Sequence, residues 1–361
     1  MQQVTNFTRE DDAQLIKEMD NKARENKVEI QNLKAKAIEP SSFCTSQQSP
    51  LMQKGEKVIK LRCKLLLKLL QSWIRVAGVF NMRKKLQAGS IASLLWKNKF
   101  LMPMSVSNAL VEKAIEQIGT GYETNVEVSR RKAQVFADSG KVDHEGKFTI
   151  YGQIIQQLNR NDANMDYFRI KDTDSKCYRI TFRGEGAIDA GGPFRDSLTN
   201  IAQELESSVL PLLIRSPNNR NEHGTNRDCF ILDSRSTTPS HKLMFKFFGG
   251  FLGFAFLSKS PMPFNLAPWV WKQLIQEEVT LNDLEGIDAY SAQVLRDLQN
   301  YAQMLSDQDF EAGVDQNFTT VLSTGEEVPL CDDGANIKVT KANISDFVAK
   351  VLAARANEAA F

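Results

Sequence analysis

The stretch RITFRGEGAIDAGGPFRD, Arg179 to Asp196, decides how the rest of the chain is read. An apolar run with strand character, Cys177–Phe182, meets four glycines mixed with acids, and then Pro193 opens a helix-like segment. Such a junction either holds a phosphate or turns a structural corner. The dinucleotide fingerprint asks for G-x-G-x-x-G between strand and helix. Gly184 and Gly186 supply the first two glycines, but Asp189 stands at the third position. Glu185 and Asp189 would also set negative charge where backbone N–H groups should meet a pyrophosphate unopposed. The corner fits better. Gly191 and Gly192 permit backbone angles closed to other residues, and Pro193 suits a first helical turn, where its missing N–H costs little. Asp189 is placed to cap that turn, and Glu185 or Asp189 to pair with Arg195.

Outward from this corner, composition sets the bounds. The chain has 361 residues, 42% of them hydrophobic, with a formal net charge of +1. That length allows about two domains, and the balanced charge argues against nucleic-acid binding as the main activity. No run of eighteen uncharged apolar residues occurs, so no membrane span is expected. Cys44, Cys63, Cys177, Cys229 and Cys331 are scattered without C-x-x-C spacing. They predict neither a disulfide framework nor a metal site, and a reduced, cytoplasmic chain is the simplest reading. Nothing in the sequence asks for a cofactor.

Three regions are expected. Residues 1–55 are polar, a charged and solvated helical part followed by the linker-like EPSSFCTSQQSP. Residues 56–127 form a basic helical region. Within it Ile59, Cys63, Leu66, Leu70, Trp73, Ala77 and Phe80 recur at alternating spacings of four and three, the stripe of one helix face. Lys57, Lys60, Lys64, Lys68 and Arg75 fall around that stripe, with Arg83, Lys84 and Lys85 beyond, and Glu56 is the one acid between Gly55 and Phe100. An ordinary packing helix accounts for this pattern, and a partner-binding or membrane-surface helix is the alternative.

Residues 128–361 look like one mixed domain. Strands are predicted at Lys147–Ile150, Cys177–Phe182 and Val328–Leu330. Helices are predicted at Gly152–Leu158, Pro193–Glu206, Ser240–Leu257, Pro268–Gln276, Ala289–Tyr301 and Ile344–Ala356. Helices outweigh strands and do not alternate with them, so the fold class is α+β, mostly helical. The Phe-rich FKFFGGFLGFAFL reads as a buried central helix, with Gly249, Gly250 and Gly253 allowing close approach. Of Trp269 and Trp271, two apart on a helix, one is core and one is not. The three histidines, His144, His223 and His241, read as surface or loop residues.

The ordered motifs carry a resemblance. ITFRGEGAIDAGGPFRDSLTNIAQEL is similar to the opening of the HECT domain of ubiquitin ligases, through Gly184, Glu185, Asp189, Gly191, Gly192, Pro193 and Arg195. LPLLIRSPNNRNEHGTNRDCFIL, the Phe-rich helix through DLEGID, and VPLCDDGANIKVTKANISDFVAKVLAARAN continue the likeness in order, with details resembling the large HERC-like branch. The resemblance implies the HECT N-terminal lobe, with a small conjugating-enzyme-binding subdomain. It implies transfer of ubiquitin from a conjugating enzyme through a cysteine thioester to a substrate lysine. Partners would be a ubiquitin-conjugating enzyme, ubiquitin and an unspecified protein substrate. Carried onto this sequence, the docking groove falls on Leu295, Leu298 and Tyr301, on Phe347 and Val351, and on Phe310 with Phe318 as floor. Ser291 stands where the family usually places an apolar groove residue.

A thiol suits this chemistry because its thiolate attacks a thioester and the product stays reactive toward an amine. In the family that cysteine lies in a second lobe of about a hundred residues, expected to begin where this sequence stops. No catalytic residue is therefore assigned. Cys63 and Cys177 read as buried, Cys229 lies off the family's nucleophile position, and the acids around Cys331 oppose a thiolate. The expectation is a docking lobe without its own nucleophile, either part of a ligase or a non-catalytic binding module.

Overall fold

A computed structural model describes residues 7–33, 54–77, 85, 87–120, 124–161, 165–172, 174–185, 191–258 and 262–358. Cys44, Phe80, Arg83, Lys84, Asp189 and the EPSSFCTSQQSP stretch lie outside them. The chain divides into two compact units at Ile118/Gly119.

The first unit holds α1 (Arg9–Glu25), α2 (Glu56–Ala77), α3 (Ile91–Lys97) and α4 (Met104–Ile118). Thr8 starts α1 with a capping box: its hydroxyl accepts from the Asp11 N–H at 3.1 Å and the Asp11 carboxylate accepts from the Thr8 N–H at 2.9 Å. Glu10, Asp11 and Asp12 then complement the positive end of the helix. The charged appearance of this segment suggests a solvated helix, and here the structure differs. Leu15, Ile16, Met19 and Ala23 are buried, in one core with Ile59, Cys63, Leu66, Leu67 and Leu70 of α2. The charges that disguise this packing bridge between helices. Arg62 donates to Asp12 through Nε at 2.8 Å and Nη2 at 2.6 Å, and Asp20 accepts from the Ser105 N–H at 3.3 Å and from its hydroxyl.

The second unit runs β1 (Asn125–Val128), α5 (Arg130–Asp138), α6 (Ile150–Asn161), β2 (Arg179–Phe182) and α7 (Gly192–Glu206). It continues through β3 (Leu213–Arg215), α8 (Pro217–Arg220), β4 (Phe230–Leu232), α9 (Pro239–Ser258), α10 (Pro268–Leu274) and α11 (Leu281–Glu285). It closes with α12 (Ala289–Met304), α13 (Asp307–Gly313), β5 (Thr319–Val321), β6 (Glu327–Pro329) and α14 (Ile344–Asn357). The strands pair as parallel β1–β2 and antiparallel β3–β4 and β5–β6. The result is mostly helical α+β.

The Gly corner turns as expected. Gly191 sits at φ +115° immediately before α7, where only glycine is comfortable, and Pro193 lies in the first turn. Its ionic partners differ from the sequence reading. Glu185 pairs with Arg130 at 3.1 Å rather than with Arg195, and Arg130 also reaches Asp196 at 3.2 Å and lies 3.7 Å above the Phe182 ring. The cation that locks the corner therefore comes from α5, too far along the chain to be visible locally.

Lys147–Ile150 is not a strand. Asp143 accepts from the N–H groups of Lys147 (2.9 Å), Phe148 (2.8 Å) and Thr149 (2.9 Å), which winds the chain into a turn. Glu204 then accepts from the N–H groups of Ile150 and Tyr151, each at 2.7 Å, and so caps α6. Behind this turn α9 is the apolar centre, burying Phe247, Phe248, Phe251 and Phe254. Gly250 alone of its three glycines makes a close approach: a Cβ there would lie 2.5 Å from the Phe168 ring, whereas Gly249 and Gly253 face open space. Trp269 is buried and Trp271 exposed.

Candidate functional site

The site is built on α12, whose N-terminus is fixed by buried polar groups. Asp288 caps it, accepting from the Ser291 N–H at 3.0 Å and hydroxyl at 2.8 Å. Buried Asn218 accepts from the Ala289 N–H at 2.7 Å and donates to the Glu285 and Thr225 carbonyls at 2.9 and 3.0 Å. Arg355 of α14, wholly inaccessible, donates to Asp288 at 2.9 Å and to the Ser323 hydroxyl at 2.9 Å, and pairs with Glu358. Two other segments, α8 and α14, thus converge on the first turn of α12. A guanidinium desolvated to this degree persists only because each carboxylate is in contact.

Beyond that anchor α12 has two apolar sides. The inner one carries Ala292, Leu295 and Leu298, and beneath it Phe310, Phe318, Phe347 and Val351 are also buried. Phe318 and Phe347 meet edge to face, ring centroids 5.4 Å apart. The outer side carries Tyr290 (75% exposed), Val294 (37%), Tyr301 (48%) and Met304 (81%). At about 100° per residue, positions 290, 294, 301 and 304 fall within one narrow stripe. One carboxylate, Asp297, interrupts it and is engaged by Gln293 at 2.8 Å.

Of the seven residues carried over for the groove, Tyr301 is therefore at the surface, and Leu295, Leu298, Phe310, Phe318, Phe347 and Val351 are interior. The interior six belong to the core of this unit, and Tyr301 shares the exposed stripe. Tyr290, Val294 and Met304 were missed. The signal for them was present, since spacings of four, seven and three from Tyr290 trace one face. Ser291 is half-buried and spent on the cap, which explains a polar side chain at that place.

Of the four described thiols, Cys63 and Cys177 are buried and Cys229 and Cys331 half-buried. Burial pushes the Cys63 thiol up to about 11 and Cys177 well above its ordinary value. Cys229 is raised by partial burial and by the neighbouring Asp228. His241 differs from the surface expectation: it is buried on α9, its Nε2 3.4 Å from His144 Nδ1 and its own Nδ1 without a partner. Burial, then the neighbouring His144, pulls its pKa down, with Asp233 opposing. Among the described residues no group of three or more His, Cys, Asp or Glu side chains is arranged to hold a metal ion, and no helix is long and apolar enough to cross a membrane.

With this geometry in view, comparison with known proteins decides the family. Residues 199–360, from within α7 to the end of α14, match the HECT-domain (ubiquitin-transferase) family. This part of the chain belongs to the HECT family of ubiquitin ligases. The human E3 ubiquitin-protein ligase HERC2 is 30% identical over 243 residues, covering 67% of this chain and 5% of the relative. The human probable E3 ubiquitin-protein ligase HECTD4 is 28% identical over 203 residues, 50% of this chain and 5% of its own length. The Saccharomyces cerevisiae E3 ubiquitin-protein ligase RSP5 is 28% identical over 189 residues, 52% of this chain and 22% of the relative. The chain thus spans a small part of the ligases it matches. The HECT match lies within the second unit and takes in the Phe-rich helix and the α12–α14 group, beginning just after the corner.

Proposed function

We propose that this chain is the docking portion of a HECT-type ubiquitin ligase, and that a ubiquitin-loaded conjugating enzyme lands on the outer stripe of α12. Tyr290, Val294, Tyr301 and Met304 make the contact. Leu295, Leu298, Phe310, Phe347 and Val351 hold that surface in place from behind. The single observation that carries the reading is an exposed aromatic and Met stripe on a helix whose start is pinned by buried charges. Exposed apolar surface on a rigid element is the usual mark of a partner site, and Tyr and Met are favoured at such contacts. The wider reaction, transfer of ubiquitin through a cysteine thioester to a substrate lysine, follows from the family.

A second reading is a docking module that performs no transfer with its own thiols. It is favoured by the burial and raised pKa of Cys63 and Cys177, since a protonated, enclosed thiol cannot reach a thioester. Incubation with ubiquitin-charged conjugating enzyme tests the docking that both readings share. Binding without a thiol-reducible ubiquitin adduct is the expected result; a reducible adduct on this chain returns catalysis to it. No binding at high concentration overturns both.

A further inference from the structure

The basic helix α2 is not absorbed by the ubiquitin-ligase reading, and it lies in the other unit. One side of it is the core described above. The other presents two parallel rows. Lys60, Lys64 and Lys68 form one row at spacings of four, all exposed. Leu61, Leu65 and Leu69 form the adjacent row at the same spacing, 53%, 42% and 50% exposed, and Lys57 continues that row toward the N-terminus. Among the described residues none forms an ion pair with these four lysines. The basic residues that do pair here, Arg62 with Asp12 and Lys54 with Asp11, point toward α1.

Rows at i±4 are the ridges by which helices pack, and the groove between two such ridges accepts a ridge from another helix. Here one wall of the groove is leucine and the other is lysine. An apolar ridge flanked on one side by carboxylates matches both walls at once, so that leucine side chains are covered and ammonium groups meet opposite charge. A second copy of the same helix would oppose lysine to lysine. A lipid surface fits poorly, because a membrane-surface helix sinks one broad apolar face into the bilayer, whereas the broad apolar face of α2 is already spent on its own unit.

We infer that the outer face of α2 is a docking site for an acidic amphipathic helix of another protein, its apolar residues repeating every four positions beside a row of Asp or Glu. The partner's helix crosses α2 over Lys64 and Leu65, the midpoints of the two rows.

The test uses the full chain and a fluorescent helical peptide of about 18 residues, with Leu at every fourth position and Glu in the neighbouring row. The control peptide carries Lys in place of Glu. The acidic peptide is expected to bind and the basic one not to. The triple variant Lys60→Glu/Lys64→Glu/Lys68→Glu is expected to weaken binding at least about tenfold, and added salt to weaken it for the unmodified chain. Leu65→Ala should weaken it several-fold at unchanged far-UV circular dichroism. All of these positions are exposed, so the fold is kept, and the triple variant should gain affinity for the basic peptide. The proposal is overturned if neither peptide binds, or if both bind alike. It is equally overturned if phosphatidylserine-containing vesicles take the chain while the acidic peptide does not, or if sedimentation shows copies joined through α2.

Discussion

Helices α12 and α2 are built alike and present opposite surfaces. Each buries one apolar side in its own unit and leaves a second apolar row in solvent. On α12 that row is aromatic and thioether with one engaged carboxylate beside it; on α2 it is leucine running next to unpaired lysines. The supports differ as well. The start of α12 is held by a guanidinium with no exposure at all, whereas α2 is tied to α1 by Arg62, whose side chain keeps 19% of its exposure. An exposed apolar row says only that something covers it. The neighbouring charges say what, and the buried contacts behind it say how firmly the row is presented.

The sharpest way to break this comparison is at the two arginines. Arg355→Ala leaves Asp288 and Glu358 enclosed without a counter-charge and should cost about 3–5 kcal/mol in chemical denaturation. Next comes Glu204, whose carboxyl burial raises to about 7 despite the N–H groups of Tyr151 and Ile150. Its folded value lies above the unfolded one, so its contribution is complete below about pH 4.5 and is lost as pH rises toward 7. That loss amounts to at most roughly 3 kcal/mol. Glu204→Gln should flatten the stability profile between those limits, and an unchanged profile would mean that the carboxylate is fully satisfied as an ion. Third, Tyr301→Ala should weaken conjugating-enzyme binding about tenfold, or 1.4 kcal/mol, without moving the thermal midpoint. Unaltered affinity in titration calorimetry would take the landing surface away from α12. Fourth, Arg62→Ala should cost about 1 kcal/mol, because this bidentate, part-buried pair keeps some contact with water on both sides; a loss equal to that of Arg355→Ala would erase the contrast. Smallest is His241. Its lowered pKa means that the folded state resists protonation, so stability should fall as pH drops through about 6.5, and His241→Gln should remove that slope.

Much of the second unit was legible because its information is local. Gly191 and Pro193 announce a turn whatever surrounds them, and the apolar spacings of α9 and α14 follow from burial. What failed depended on distant partners. Lys147–Ile150 looks extended until Asp143 and Glu204 gather its N–H groups. The polar face of α1 looks solvated until Arg62 and Ser105 arrive to meet Asp12 and Asp20. On α12 the carried-over positions diverge in angle. Leu295, Leu298 and Tyr301 step by three, and each step turns about 60° back around the helix. The series therefore starts in the core and ends in solvent. The carried-over positions therefore combine interior and exposed points of α12.

The pairing of Asn125–Val128 with Arg179–Phe182 has a temporal meaning. A parallel neighbour cannot be reached by a tight hairpin, so on the ribosome the earlier strand waits, its edge unsatisfied, until the whole intervening helical passage has emerged. The pair closes only when both ends of that passage exist, and a fragment beginning at the family match, inside α7, would inherit a helix deprived of the ledge on which it rests.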